Sequence, residues 1–208
     1  MKTFVYVDAF NLYYGAVKGT PYKWLDLQAL CKSMLRPENT VASIKYFTAR
    51  VQSRPDDPGQ LTRQQIYLRA LQTLPHLQIF FGHYLSHVVR MPLVNPKPGE
   101  NRFVQVIKTE EKGSDVNLAT QLLADAFDQS FDCAVVISGD SDLRAPIQLV
   151  LDRFHKTVGV INPQKTPCKA LQNIARFYKH IRISALQTSQ FPTVLTDKHG
   201  PFHKPETW

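Results

Sequence analysis

Phe4-Val5-Tyr6-Val7-Asp8-Ala9-Phe10-Asn11 and Ala134-Val135-Val136-Ile137-Ser138-Gly139-Asp140-Ser141-Asp142 have the same design. Each is a short unbroken apolar run that ends in carboxylates and then gives way to helical text. A run apolar at every position, too short for a helix, reads as a strand buried on both faces. Two such strands followed by helices argue for a mainly parallel sheet covered on both sides.

The rest of the chain keeps this alternation. Strands are expected at Val41–Val51, Leu77–Leu85 and Thr157–Ile161, with a short edge strand at His180–Ile183. Helices are expected at Phe10–Val17, Leu27–Leu35 with Asp26 as N-cap, Leu61–Leu74, Ser114–Phe127, Asp142–Phe154 and Ala170–Phe177. Val88–Val94 and Phe103–Ile107 flank the turn-rich Asn95–Asn101 and read as a protruding hairpin. Residues 1–190 form one three-layer α/β/α domain in this reading, and 191–208 an extended, Pro-containing C-terminal tail.

Composition narrows the function. The 208 residues carry a formal net charge of +8, and nine basic but only three acidic residues fall after residue 150. A basic chain whose acids gather elsewhere suits a polyanionic partner. Three cysteines without a CxxC pair disfavour a disulfide framework or a thiolate zinc site. No apolar stretch approaches the ~18 residues of a membrane span and no leader precedes Thr3–Val7, so a cytoplasmic protein without a membrane partner is expected.

In an open parallel sheet, ligands bind beyond the carboxyl ends of the strands. Asp8 falls at such an end, and Asn11 follows one helical turn later. Asp140 and Asp142 follow the second run, with Gly139 letting the backbone approach a ligand. One of these two acids, Asp142 by position, serves as a helix cap; the other is left without a structural duty. Ser114 is expected to cap the next helix, which puts Asp115 in its first turn. Asp115 shares a stripe with Leu118, Leu122 and Ala126 and is expected to point inward, whereas Asp125 and Asp128 lie off it. Carboxylates delivered to one edge cannot all ionise without a cation. Oxygen donors suit Mg²⁺ or Mn²⁺, and such a cluster in a basic protein suits phosphodiester hydrolysis by metal-activated water.

The segments YVDAFNLY, EEKGSDVNLATQLLADAF and VISGDSDLRAPI resemble those of NYN-domain proteins. Within that group the chain is most similar to the LabA-like (DUF88) branch of the PIN-like nuclease superfamily. The likeness runs from end to end, through YFTARV and RQQIYLRAL to the closing Pro205-Glu206-Thr207-Trp208. It implies a Rossmann-like PIN fold, an endoribonuclease dependent on Mg²⁺ or Mn²⁺, and RNA, single-stranded or structured, as substrate. Carried over by position, Asp8, Asp115, Asp140 and Asp142 are the metal-binding acids and Asn11 the motif's asparagine. A homodimer is compatible with this reading.

Two other functions fit less of the sequence. One is a catalytically silent RNA-binding or regulatory scaffold that keeps the acidic pocket. The other is a haloacid-dehalogenase-like phosphatase, which needs a second acid where Phe10 stands. Neither GxxxxGK[ST] nor GxGxxG occurs, so a P-loop or dinucleotide fingerprint is unsupported. Phosphate contacts are expected from Lys112, Arg50, Arg54, Arg63 and Arg144. The hairpin's Arg90, Lys97 and Arg102 are expected to add a groove wall. Phe10 and one of Tyr13 and Tyr14 are expected in the core.

Overall fold

A computed structural model describes residues 1–53, 56–97, 99 and 101–208. Its central sheet has six strands: β1 (Lys2–Asp8), β2 (Thr40–Thr48), β3 (Leu77–Phe81), β6 (Cys133–Ile137), β7 (Thr157–Asn162) and β8 (Phe177–His180). They lie in the order β3-β2-β1-β6-β7-β8, and every adjacent pair is parallel. All five residues of β6 are buried, as the unbroken apolar run requires.

Side chains alternate across the pleat and so serve two cores. Val5 and Val7 face a core shared with α1 (Ala9–Leu12), α2 (Leu27–Met34) and α3 (Gln60–Leu71). Tyr6 and Phe47 face the other core, with α4 (Ser114–Phe127) and α5 (Arg144–Phe154). The result is the expected three-layer α/β/α arrangement. Asp26 caps α2 by accepting from the Gln28 and Ala29 amides at 2.8 and 3.0 Å.

Several boundaries differ from expectation. The strand expected at Leu77–Leu85 stops at Phe81, and Tyr84 and Leu85 belong to β4 (His83–Pro92). With β5 (Phe103–Lys112), β4 makes a long antiparallel hairpin outside the main sheet. Its ribbon leaves Val88 and Ile107 exposed. Apolar, β-prone residues continue through Gly82, so periodicity alone misses the change of sheet. The helix expected at Ala170–Phe177 is the short α6 (Lys169–Gln172), and Phe177 opens β8 instead. A further helix, α7 (Ile183–Thr188), follows the edge strand.

Residues expected as an extended tail contain the hairpin β9 (Val194–Asp197) and β10 (Gly200–His203). Arg69 clamps it by donating to both Asp197 carboxylate oxygens at 2.8 and 2.7 Å. Phe191 and Phe202 are buried against α2 and α3. Among the described residues no helix is long and apolar enough to cross a membrane.

Candidate active site

Residues leaving β1 proceed to β2 and β3 on one side, whereas β6 leads to β7 and β8 on the other. The carboxyl ends of β1 and β6 therefore flank a switch-point crevice. Register pairs Val7 with Ile137, which puts Ser138 level with Asp8.

Asp8 is 4% exposed, and both its carboxylate oxygens are held. One accepts from the Asn11 backbone amide at 2.9 Å, the other from the Ser138 hydroxyl at 2.9 Å. Burial pushes its pKa up to about 6, and the charges of Asp115 and Asp140 add to that rise. The Asn11 amide and the Ser138 hydroxyl pull the other way without overcoming it.

Asn11 joins three loops. Its side-chain oxygen accepts from the Gly139 amide at 2.9 Å and from the Gln164 side chain at 3.1 Å. With that oxygen doubly engaged, Asn11 fixes the crevice walls. A Cβ at Gly139 would run into the Asn162 and Gln164 side chains, so the glycine lets this loop pack closely against residues 162–164.

Asp140, not Asp142, is the capping acid. It accepts from the Asp142 amide at 2.9 Å and starts the 3₁₀ turn Ser141–Leu143. The Ser138 hydroxyl accepts from the Asp140 amide at 3.1 Å, linking this turn to Asp8. Asp142 is exposed, and its carboxylate takes no hydrogen bond among the described residues.

The start of α4 also differs from expectation. Glu111 caps it, accepting from the Ser114 amide at 3.1 Å and its hydroxyl at 2.7 Å. Gly113, at φ 93°, occupies the left-handed conformation that this turn demands. Asp115 follows in the first turn and is an exposed residue, not an inward one. Its carboxyl is nevertheless shielded enough for desolvation to raise its pKa, and Asp140, Glu111 and Asp142 raise it further. The three acidic segments thus influence one another electrostatically at one edge of the sheet.

Donor chemistry fits a hard cation such as Mg²⁺ or Mn²⁺: every candidate donor is a carboxylate, and the acids disfavour one another's ionisation. Among the described residues, no three His, Cys, Asp or Glu side chains make a ready cage.

The cationic residues are dispersed. Arg50 is exposed over the Phe81 ring at 4.8 Å, and Arg144 opens α5, exposed. Arg63 is ion-paired with Asp57, and Lys112 with Glu110 at 3.5 Å. Arg90 stacks over Phe103 on the hairpin at 4.5 Å. Arg54 lies outside the described residues. Tyr13 and Tyr14 are both exposed, and Phe10 is half-buried against Tyr84, so none of the three joins the core.

Sequence reasoning missed a second polar cluster. Lys45 on β2 meets Asp125 on α4 at 2.6 Å, and the same carboxylate oxygen accepts from the Tyr6 hydroxyl at 2.7 Å. Asp125 lies off the apolar stripe, yet this pair is mostly buried. Ser138 and Gln164 were missed as well; Ser138 sits inside the quoted motif, whereas Gln164 carries no local signal.

The NYN domain family model matches residues 2–184, and the chain belongs to that family, whose fold is of the PIN-like nuclease type. PIN-like nucleases typically use divalent metals. The chain is 31% identical over 236 aligned positions to a Pseudomonas putida (strain DSM 28022 / S16) protein, covering all of this chain and 75% of the relative. That protein is named 6-hydroxy-3-succinoylpyridine 3-monooxygenase HspA. The crystal structure of VPA0982, a protein of unknown function from Vibrio parahaemolyticus RIMD 2210633, superposes with a TM-score of 0.57 at 19% identity. The match covers 88% of this chain and 93% of that one, and it shows a shared fold.

Proposed function

We propose that this chain is a metal-dependent endoribonuclease that hydrolyses a phosphodiester with water and forms no covalent intermediate. The observation that carries the reading is the placement of Asp8 and Asp140 after the neighbouring carboxyl ends of β1 and β6, linked through Ser138, in a NYN domain. A bound Mg²⁺ or Mn²⁺ would neutralise the scissile phosphate, acidify a water and stabilise the leaving oxygen. Asp8, Asp115 and Asp140 would hold it directly or through water, with Asp142 as a further ligand or a proton acceptor. Ser138 and the Asn11 amide keep the Asp8 carboxylate in one orientation. Attack by water forms one P–O bond and breaks the bond to the leaving oxygen, which takes up a proton. Arg50 and Arg144 would offset the repulsion between acidic crevice and polyanion, whereas Lys112 is already paired with Glu110.

The test is cleavage of labelled single-stranded RNA, duplex RNA and DNA with Mg²⁺, Mn²⁺ or EDTA, with Asp8→Asn and Asp140→Asn as controls. RNA cleavage that needs metal and disappears in both variants supports the proposal. Binding of every substrate without cleavage overturns it in favour of the silent scaffold.

The Pseudomonas putida relative favours a second reading, oxygenation of a hydroxypyridine acid. That reaction would consume O₂ and two electrons from a donor such as NADH. NADH oxidation dependent on 6-hydroxy-3-succinoylpyridine, with loss of that compound, would support it; an unchanged compound would dismiss it.

A further inference from the structure

A second cavity, of about 400 Å³, lies between the β1–α1 turn, the end of β2 and α3. Asp8, Asp115, Asp140 and Asp142 do not line it. Its volume falls in the range of small-molecule sites. Aromatic rings build the walls: Tyr13, Tyr46, Tyr67 and Trp208 all line it. Trp208 is fixed there, its ring 5.5 Å from that of Tyr67 and 6.5 Å from that of Trp24.

The floor is polar. Tyr46 and Thr48 stand two apart on β2 and so share one face of the strand. They are only 7% and 2% exposed, yet both line the cavity. Neither hydroxyl has a hydrogen-bond partner among the described residues. The neighbouring Tyr67 hydroxyl differs, since it donates to the Leu25 carbonyl at 2.9 Å. Among the described residues the buried side-chain atoms without a partner are Ser189 Oγ and Gln190 Oε1, so the Tyr46 and Thr48 hydroxyls open onto the cavity, where a guest can reach them. The Tyr46 phenol stays protonated at neutral pH, because burial and the charge of Asp8 raise its pKa.

The rim is cationic. Lys23 lines the cavity and forms no ion pair among the described residues. Arg63 lines it too, but Asp57 balances its charge. Flat aromatic walls, two hydroxyls below and one unbalanced ammonium above describe a complementary guest.

We propose that this cavity binds a planar nitrogen heteroaromatic ring bearing an anionic arm. The ring lies among the tyrosine and Trp208 faces, its polar edge meets the Tyr46 and Thr48 hydroxyls, and the anion reaches Lys23. Two sources carry that chemistry: a free heteroaromatic acid and the base of a nucleotide. The choice of a pyridine acid rests on the second reading above, whereas binding here needs no metal and no turnover, so its failure and the failure of either activity are read separately.

The experiment is calorimetric titration in EDTA, backed by quenching of tryptophan fluorescence. Probes are nicotinate, 6-hydroxynicotinate and the four nucleoside 5′-monophosphates; nicotinamide, benzoate and inorganic phosphate are controls lacking the anion, the ring nitrogen or the ring. Saturable binding of a heteroaromatic anion above all three controls is expected. Tyr46→Phe should weaken it about tenfold, the scale of one buried hydrogen bond. Lys23→Met should abolish the preference for nicotinate over nicotinamide. Thr48→Val provides a second floor variant if Tyr46→Phe perturbs folding. Binding confined to the pyridine acids identifies a free small molecule, and binding of nucleotides identifies a base subsite; either supports the proposal. No saturable binding of any probe, benzoate binding as tight as nicotinate, or affinity unchanged in both floor variants overturns it.

Discussion

Replacing Asp8 by Asn should make the metal-free protein more stable while destroying the crevice chemistry. Asp8 is nearly buried, and its pKa is pushed from 3.8 up to about 6. A displacement of that size means that the ionised side chain opposes folding by about 3 kcal/mol near neutral pH. The sign follows from proton binding. The folded state holds this proton more tightly than the unfolded one, so the penalty is small below pH 3.8. It grows between 3.8 and 6 and is constant above. Asn keeps the shape and can still accept from the Asn11 amide, but it loses the charged hydrogen bond to Ser138. The net gain should be about 2 kcal/mol at pH 7.5, a Tm rise of roughly 4–8 °C for a chain of this size. Urea and thermal unfolding in EDTA measure it. At pH 4 the difference should fall below about 1 kcal/mol. Addition of Mg²⁺ should raise the Tm of the native protein and leave Asp8→Asn unmoved. A variant no more stable than the parent at pH 7.5, or an advantage that persists unchanged at pH 4, would refute the account of Asp8 as a charge held against the fold.

Two further outcomes follow from the described contacts. Lys45→Met alone strands the mostly buried Asp125 carboxylate and should cost about 3 kcal/mol in urea unfolding, whereas adding Asp125→Asn should recover all but about 1 kcal/mol. If RNA crosses the Arg50 and Arg144 edge, changing both to Gln should lower the log–log salt slope of single-strand binding by about 1.4. Adding Arg63→Gln should change that slope little, because Asp57 already balances its charge; an unchanged slope in the double variant would send the RNA elsewhere.

The readable parts of this sequence are those set by local pattern. β6 is an unbroken buried run, and α4 spans Ser114–Phe127 as its apolar stripe predicts. The Asp26 cap is equally local. What escaped depends on partners distant in the chain. Nothing near Asp125 announces Lys45, 80 residues away, and an off-stripe acid is ordinarily solvated. Nothing near residue 164 announces Asn11, 153 residues away. The choice between Asp140 and Asp142 as cap turns on two residues of helix onset, and the short 3₁₀ turn places that onset at Ser141. Glu111 displaced Ser114 as cap because the strand end carries its carboxylate back over the helix start. Sequence places Asp8 and Asp140 after two buried strands, and the hydrogen-bonded frame around them is visible only in three dimensions.

Trp208 also bears on how this molecule is made. Its ring rests against residues 24 and 67, which leave the ribosome long before it does. Chains fold from the N-terminal end as they emerge, and contacts between distant residues form late. A nascent chain can therefore assemble β1, β6 and the crevice acids while the aromatic cavity still lacks one wall. Pausing translation before residue 208 would yield a polypeptide with its acidic crevice in place and its second chamber gaping, so the two compartments mature at different times.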